Sequence, residues 1–190
     1  MSKVFNKNMT KNWVLTKVNK KFFLRVGKKI FKCQIGNAGY KICTKKKEGD
    51  KATPIGKWRL KSLYYRSDKV LRPLVKNKTF QINKITKNCG WCDDPKSHHY
   101  NKYINLKKNS YVKKISFEKL WRNDQAYDLV IETSHNTSPI IKGKGSAIFI
   151  HCSFSDYRQT AGCVALKKRD LIFIIKNISN KVFLEIKNNY

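Results

Sequence analysis

The chain has 190 residues, 41% hydrophobic and 12% aromatic, which supplies a buried core and argues against wholesale disorder. Its 42 Lys and Arg against 12 Asp and Glu give a net charge of +30, a field that draws polyanions from a distance. The basic residues are spread along the whole chain with no recognition motif beside them, so specific nucleic acid is not expected as a partner, whereas an anionic cell-wall polymer is.

Residues 1–10 read as a flexible polar lead-in, and residues 11–190 as one domain, expected to be a monomer. The amino terminus is basic but shows neither the apolar stretch nor the small-residue cleavage site of a secretory signal, and no run is long enough to span a membrane. From Trp13 the alternation predicts short strands at "WVLTKV", "KFFLRV" and "KIFKCQI". "GNAGYK" supplies a turn, and "TKKKEGDKATPIG" a polar loop punctuated by Gly49, Pro54 and Gly56. Strand character resumes in "KWRLKSLYYR" and "FQINKI".

A short helix is predicted over "SFEKLWRND", with Ser116 as its cap. "YDLVIET" and "SAIFIHC" are strands, with turn chemistry between them in "NTSPIIKGKG". Leu171, Ile174, Ile175 and Ile178 then recur at helical spacing behind Asp170, a candidate N-cap, and "KVFLEI" closes as a strand. Many short strands, abundant turns and only one or two short helices predict a mainly β domain.

Six cysteines are too few for a disulfide scaffold of this length. Cys89 and Cys92, with His98 and His99 nearby, raise a zinc or redox site, but a second well-spaced ligand pair is missing. No metal and no cofactor is therefore expected. The stretch is expected to line a substrate cleft as a loop, with Trp91 as an aromatic wall and Asp93 and Asp94 as turn formers or cation-binding carboxylates.

The densest chemistry lies in "SAIFIHCSFSDYRQTAGCVALKKRDL". Ala147, Phe149 and His151 share one strand face, and Ile148, Ile150 and Cys152 the other. His151 ends the strand, and Cys163 returns after a polar segment. A cysteine nucleophile needs a base and oxyanion donors; His151 supplies the first, and a tight turn at Gly162 could present the amides of Gly162 and Cys163 for the second. Spacing alone leaves a second reading open, in which Cys163 is a small buried hydrophobe and His151 a strand-end polar residue.

"IFIHCSFSDYRQTAGCVAL" resembles the signature of the L,D-transpeptidase (YkuD) family: a histidine, a variable loop, then Ser or Thr, any residue, Gly and the catalytic Cys. Thr160, Ala161, Gly162, Cys163 and Val164 match in order. The block "EGDKATPIGKWRL" resembles the family's upstream Asp-x-x-Thr-Pro-x-Gly turn, and "GWCDDP", "YN", "LWRND", "YD" and "GSAIF" resemble a bacterial subgroup. Many members carry Arg two residues beyond the cysteine, where this chain has Ala165; Arg158 or a lysine is expected to take over its contact.

The resemblance implies a β-sandwich of mixed, mostly antiparallel strands with a few short helices. It implies Cys163 as nucleophile, His151 as base and then acid, backbone amides around Gly162 as oxyanion donors, and Thr160 as a residue that shapes the loop or assists them. Trp91, Asp93, Asp94, Asn136, Arg158 and Ala161 are the expected substrate contacts. His135 is a second histidine, expected at a rim rather than at the motif position. The implied substrates are peptidoglycan stem peptides, either cross-linked or trimmed by an L,D-carboxypeptidase outcome of the same site. Such chemistry places the protein in the periplasm or cell wall. A non-catalytic basic protein that holds anionic wall polymer or nucleic acid is the alternative of another class.

Overall fold

The computed structural model describes residues 12–107, 112, 114–179 and 181–187; the expected lead-in at residues 1–10 lies outside them. Three strands come first, β1 (Trp13–Val18), β2 (Lys21–Val26) and β3 (Lys29–Gln34), joined as an antiparallel meander. Short β4 (Tyr40–Ile42) precedes the longest strand, β5 (Thr53–Tyr65). After β6 (Gln81–Lys84) come β7 (Cys89–Cys92), β8 (Tyr103–Asn105) and β9 (Phe117–Lys119), which form a separate three-stranded sheet with β7 in the middle. Then follow β10 (Leu129–Thr133), β11 (Phe149–Cys152), β12 (Val164–Leu166), helix α1 (Lys168–Ile175) and β13 (Phe183–Ile186).

The large sheet runs β10-β11-β12-β3-β2-β1-β13-β5-β4, and β5 also pairs with β10 and β6. The architecture is mainly β, mixed and mostly antiparallel, as expected: β1–β13, β4–β5, β5–β6 and β11–β12 are its parallel pairs. The finding beyond that expectation is closure. The first part of β5 pairs with β13 (Leu184↔Trp58) and the later part with β10 (Val130↔Tyr64), so one thirteen-residue strand joins both ends of the sheet. Among the described residues no helix is long and apolar enough to cross a membrane.

Four local expectations fail. The segment read as a helix from Ser116 is strand β9, because its backbone finds a ladder on β7 (Trp91↔Glu118) that buries Leu120 beneath it. "CGWC", read as a loop, is strand β7, buried throughout. The polar loop ends sooner than predicted: β5 starts at Thr53 and runs through Pro54, which is tolerated near the start of a strand beside short β4. Helix α1 begins at Lys168, so Asp170 lies in its first turn, where its charge suits the dipole, and Lys167 is the N-cap without a side-chain bond.

The strands β10 and β11 are buried on both faces. Ile131, Ile150 and Cys152 enter the main core with Leu24, Leu63, Leu166 and the apolar face of α1. Val130 and Phe149 face a second cluster with Trp91, Leu120, Tyr127 and Cys163, roofed by the small sheet. Burying Phe149 and Trp91 there contributes about 2–3 kcal/mol each from area alone and fixes the small sheet over the end of β11.

Candidate active site

Strand β11 pairs in parallel with β12, with Ile150 opposite Val164 and His151 opposite Ala165. Cys163 immediately precedes β12, so it lies one strand across and two positions back from His151, on the same face. Both side chains line one cleft, together with Lys46, Glu48, Asp93, Glu118, Arg122, Tyr127, Ser146, Phe154 and Ala161.

The resting thiol is held by backbone. Cys163 Sγ accepts from the Phe149 amide at 3.3 Å and donates to the Ala147 carbonyl at 3.0 Å. Ala147 sits at φ 50°, a left-handed conformation that costs a non-glycine residue about 1 kcal/mol or more, and it places that carbonyl at the thiol. Burial, and next the charge of Glu118, push the Cys163 thiol up to about 12. His151 is equally enclosed. Burial drives its imidazole down to about 4, only partly offset by the carbonyl of Cys152, which lies 2.8 Å from Nδ1. With Nδ1 as the donor to that carbonyl, the neutral ring leaves Nε2 as the nitrogen able to take a proton. Burial thus works against the charged form of both groups.

The loop before the cysteine is shaped by hydroxyls. Thr160 Oγ1 donates to the Cys163 carbonyl at 2.7 Å and accepts from the Gly162 amide at 3.1 Å. The Gly162 N–H, expected among the oxyanion donors, is therefore spent on Thr160 in this state. Gly162 has φ 139°, and a Cβ there would stand 3.0 Å from the Ala52 carbonyl oxygen, so the position needs glycine. Thr53 Oγ1 donates to the Gly162 carbonyl and accepts from the Gly36 amide, both at 2.8 Å. Asp50 holds the start of that block. Burial opposes its charge, yet the Lys46 ammonium and the amides of Lys47 and Ala52 keep its carboxyl well below the usual range.

Of the expected substrate contacts, Asp93 and Ala161 line the cleft. Trp91 lies behind it: the ring is 3% exposed, donates Nε1–H to Asn101 and meets Phe149 edge-on at 5.0 Å. Asp94 closes a turn by accepting from the Lys96 amide. Asn136 staples the 136–145 loop through Ile141 and Gly145, outside the cleft. Arg158 pairs with Asp156 at 2.8 Å and stacks on Phe154 at 4.0 Å without lining the cleft. Ala165 is fully buried, and the cations that do line the cleft are Lys46 and Arg122. His135 lines a different groove, edge-on to Trp58. Cys89 and Cys92, three apart on a strand, point to opposite faces and cannot chelate one ion together.

Glu118, Lys46 and Arg122 were not legible as site residues. Glu118 falls in the segment whose local sequence predicts a helix, and nothing local marks the two cations among so many. Thr53 and Asp50 carried a signal, because both stand in the upstream block that resembles the family's.

No curated protein and no solved structure matches the chain. A family model does match, that of the L,D-transpeptidase catalytic domain (YkuD), over residues 11–184. Cleft, signature loop and the matched span agree, and the chain belongs to the L,D-transpeptidase catalytic-domain family.

Proposed function

We propose that the protein is a cysteine L,D-transpeptidase that acts on peptidoglycan stem peptides through a thioester acyl-enzyme. The observation that carries this reading is the shared cleft of Cys163 and His151, with Nδ1 of the ring against the Cys152 carbonyl. Because burial works against a thiolate and an imidazolium alike, the proton leaves sulfur as the bond to carbon forms, rather than beforehand.

Cys163 Sγ attacks the carbonyl at the L-centre of a diamino acid while His151 Nε2 takes the thiol proton. The tetrahedral intermediate collapses, the peptide bond breaks, and His151 returns that proton to the departing terminal D-alanine. An amine from a second stem then attacks the thioester carbon and passes a proton to His151. The C–S bond breaks and the sulfur is reprotonated. The Phe149 amide, already directed at Sγ, steadies negative charge on the sulfur, and the Cys163 amide is the remaining oxyanion donor of the expected pair. Thr160 keeps the turn in register. Asp93 and Ala161 contact the stem peptide, and Lys46 and Arg122 take the place of the arginine that this chain lacks at Ala165.

The substrate puts the protein outside the cytoplasmic membrane, in the periplasm or cell wall, and the high positive charge favours anionic wall polymers there. Purified protein incubated with tetrapeptide muropeptides is expected to release D-alanine and to carry a transient adduct on Cys163. Release by Cys163→Ala as fast as by the wild type removes the nucleophile assignment.

A further inference from the structure

We propose that the segment between β5 and β6 docks the protein on an anionic phospholipid bilayer. Leu71 and Leu74 enter the acyl boundary there, and the cations around them reach the phosphates. The segment reads "KVLRPLVK", Lys69 to Lys76, with four aliphatic side chains set among basic ones. The fold divides those four. Val70 and Val75 pack against the main core and Pro73 is buried, whereas Leu71 is 91% exposed and Leu74 84%. Both ends are pinned to backbone. The Val70 amide donates to the Arg66 carbonyl at 2.8 Å, and the Lys76 amide donates to the Lys176 carbonyl at 3.0 Å. An anchored segment therefore holds the two leucines outward, and Pro73, which has no N–H, interrupts any ladder through it. Two large aliphatic side chains left in water forgo the burial that a partner would supply.

Charge identifies the partner. Leu71, Leu74 and Ile172 of α1 line one groove, and Lys69, Arg72, Lys168 and Lys176 stand around it. Among the described residues that line this groove, every polar side chain is a cation; none is a carboxylate or a neutral hydrogen-bonding group. Lys69 and Lys168 share a single carboxylate, Asp128, at 3.5 and 2.9 Å. Arg72 and Lys176 have no ion pair among the described residues, so positive charge is in excess. A protein partner is ordinarily met through neutral hydrogen bonds as well as apolar contact. An anionic bilayer asks only for apolar tips at the acyl boundary and for Lys and Arg at the level of the phosphates, their stems lying along apolar surface. Docking of this kind does not depend on the chemistry at Cys163.

The test is cosedimentation of the full chain with vesicles at roughly 0.15 M salt, where the general attraction of a +30 protein to an anionic surface is screened beyond about 8 Å. One vesicle is phosphatidylcholine alone, and the other carries roughly a quarter phosphatidylglycerol. The expected result is binding roughly tenfold or more tighter on the anionic vesicle, and a loss of about the same size there in Leu71→Ser/Leu74→Ser, whose charge is unchanged. Ile141→Ser, which removes an exposed aliphatic side chain from a different groove, should bind like the wild type. Full retention of the double variant on anionic vesicles means that charge alone holds the protein, and overturns the dock. An equal loss in Ile141→Ser overturns its placement at this segment. Should the double variant not fold, Leu74→Ser alone decides, by the same loss or its absence. Failure of the wild type to bind either vesicle also overturns the proposal, and self-association abolished by the same leucine substitutions would then make a second copy the occupant.

Discussion

Thr53 donates its hydroxyl to the carbonyl of Gly162, 109 residues further along the chain, and the same oxygen accepts the Gly36 amide. One fully buried side chain thereby ties three backbone segments together next to the nucleophile. Gly36 shows how close they come: a Cβ there would lie 2.3 Å from the Lys51 carbonyl oxygen and 3.0 Å from Gly162 Cα. The upstream block thus acts on the chemistry by fixing where the cysteine turn sits.

Thr53→Val keeps the shape and removes both bonds, leaving the Gly36 N–H and the Gly162 carbonyl buried without partners. The expected loss is roughly 2–4 kcal/mol of stability, from two such groups, with slower acylation of Cys163. Thr53→Ser keeps the hydroxyl and should recover most of both. Thermal unfolding and adduct formation measured on the three proteins check this, and a Val variant as stable as wild type removes the clamp.

Gly162→Ala meets a different obstacle. Its φ of 139° disfavours any L side chain, and the new Cβ stands 3.0 Å from a carbonyl oxygen that belongs to rigid backbone. The turn must shift, carrying Cys163 with it. The expected outcome is a folded protein, destabilised by about 1–3 kcal/mol, whose D-alanine release falls at least tenfold. Circular dichroism and the release assay separate the two effects.

Two buried histidines make stability depend on acid. Both His151 and His135 are pushed by burial from 6.5 down to about 4. Between those values the unfolded chain binds protons that the folded one refuses, so stability is full above about 6.5 and is lost as pH falls towards 4. By linkage each histidine removes about 2 kcal/mol between pH 7.5 and pH 5. Urea unfolding at the two pH values should show a smaller drop in His135→Gln than in wild type; an equal drop disproves the assignment for that residue.

The enclosed Cys163–His151 pair predicts slow alkylation of the free enzyme. Burial holds the thiol up to about 12, so the reactive thiolate is scarce at neutral pH. The rate of iodoacetamide labelling at Cys163, followed by peptide mass spectrometry, should climb through the alkaline range with no plateau below pH 9. A plateau near neutrality would mean a preformed ion pair.

Resemblance to the family singled out the pair Cys163 and His151, whose spacing alone left burial open, while the sequence by itself determined the mainly β class, most strand positions and the turn at Gly162. These are local properties: alternation set the faces of "SAIFIHC", and the glycine in "TAGC" marked the turn. Tertiary structure alone decided the rest. "CGWC" and "FEK" became strands because each found the other's backbone, and no local preference for a loop or helix outweighs a satisfied ladder. The same pairing carried Glu118 into the cleft, and the Gly36–Thr53–Gly162 contact depends on segments that meet only after the sheet has closed through β5. Contacts between residues so far apart in the chain, and the burial that shifts the thiol and imidazole, exist only in the folded molecule, because packing and desolvation are properties of neighbours in space.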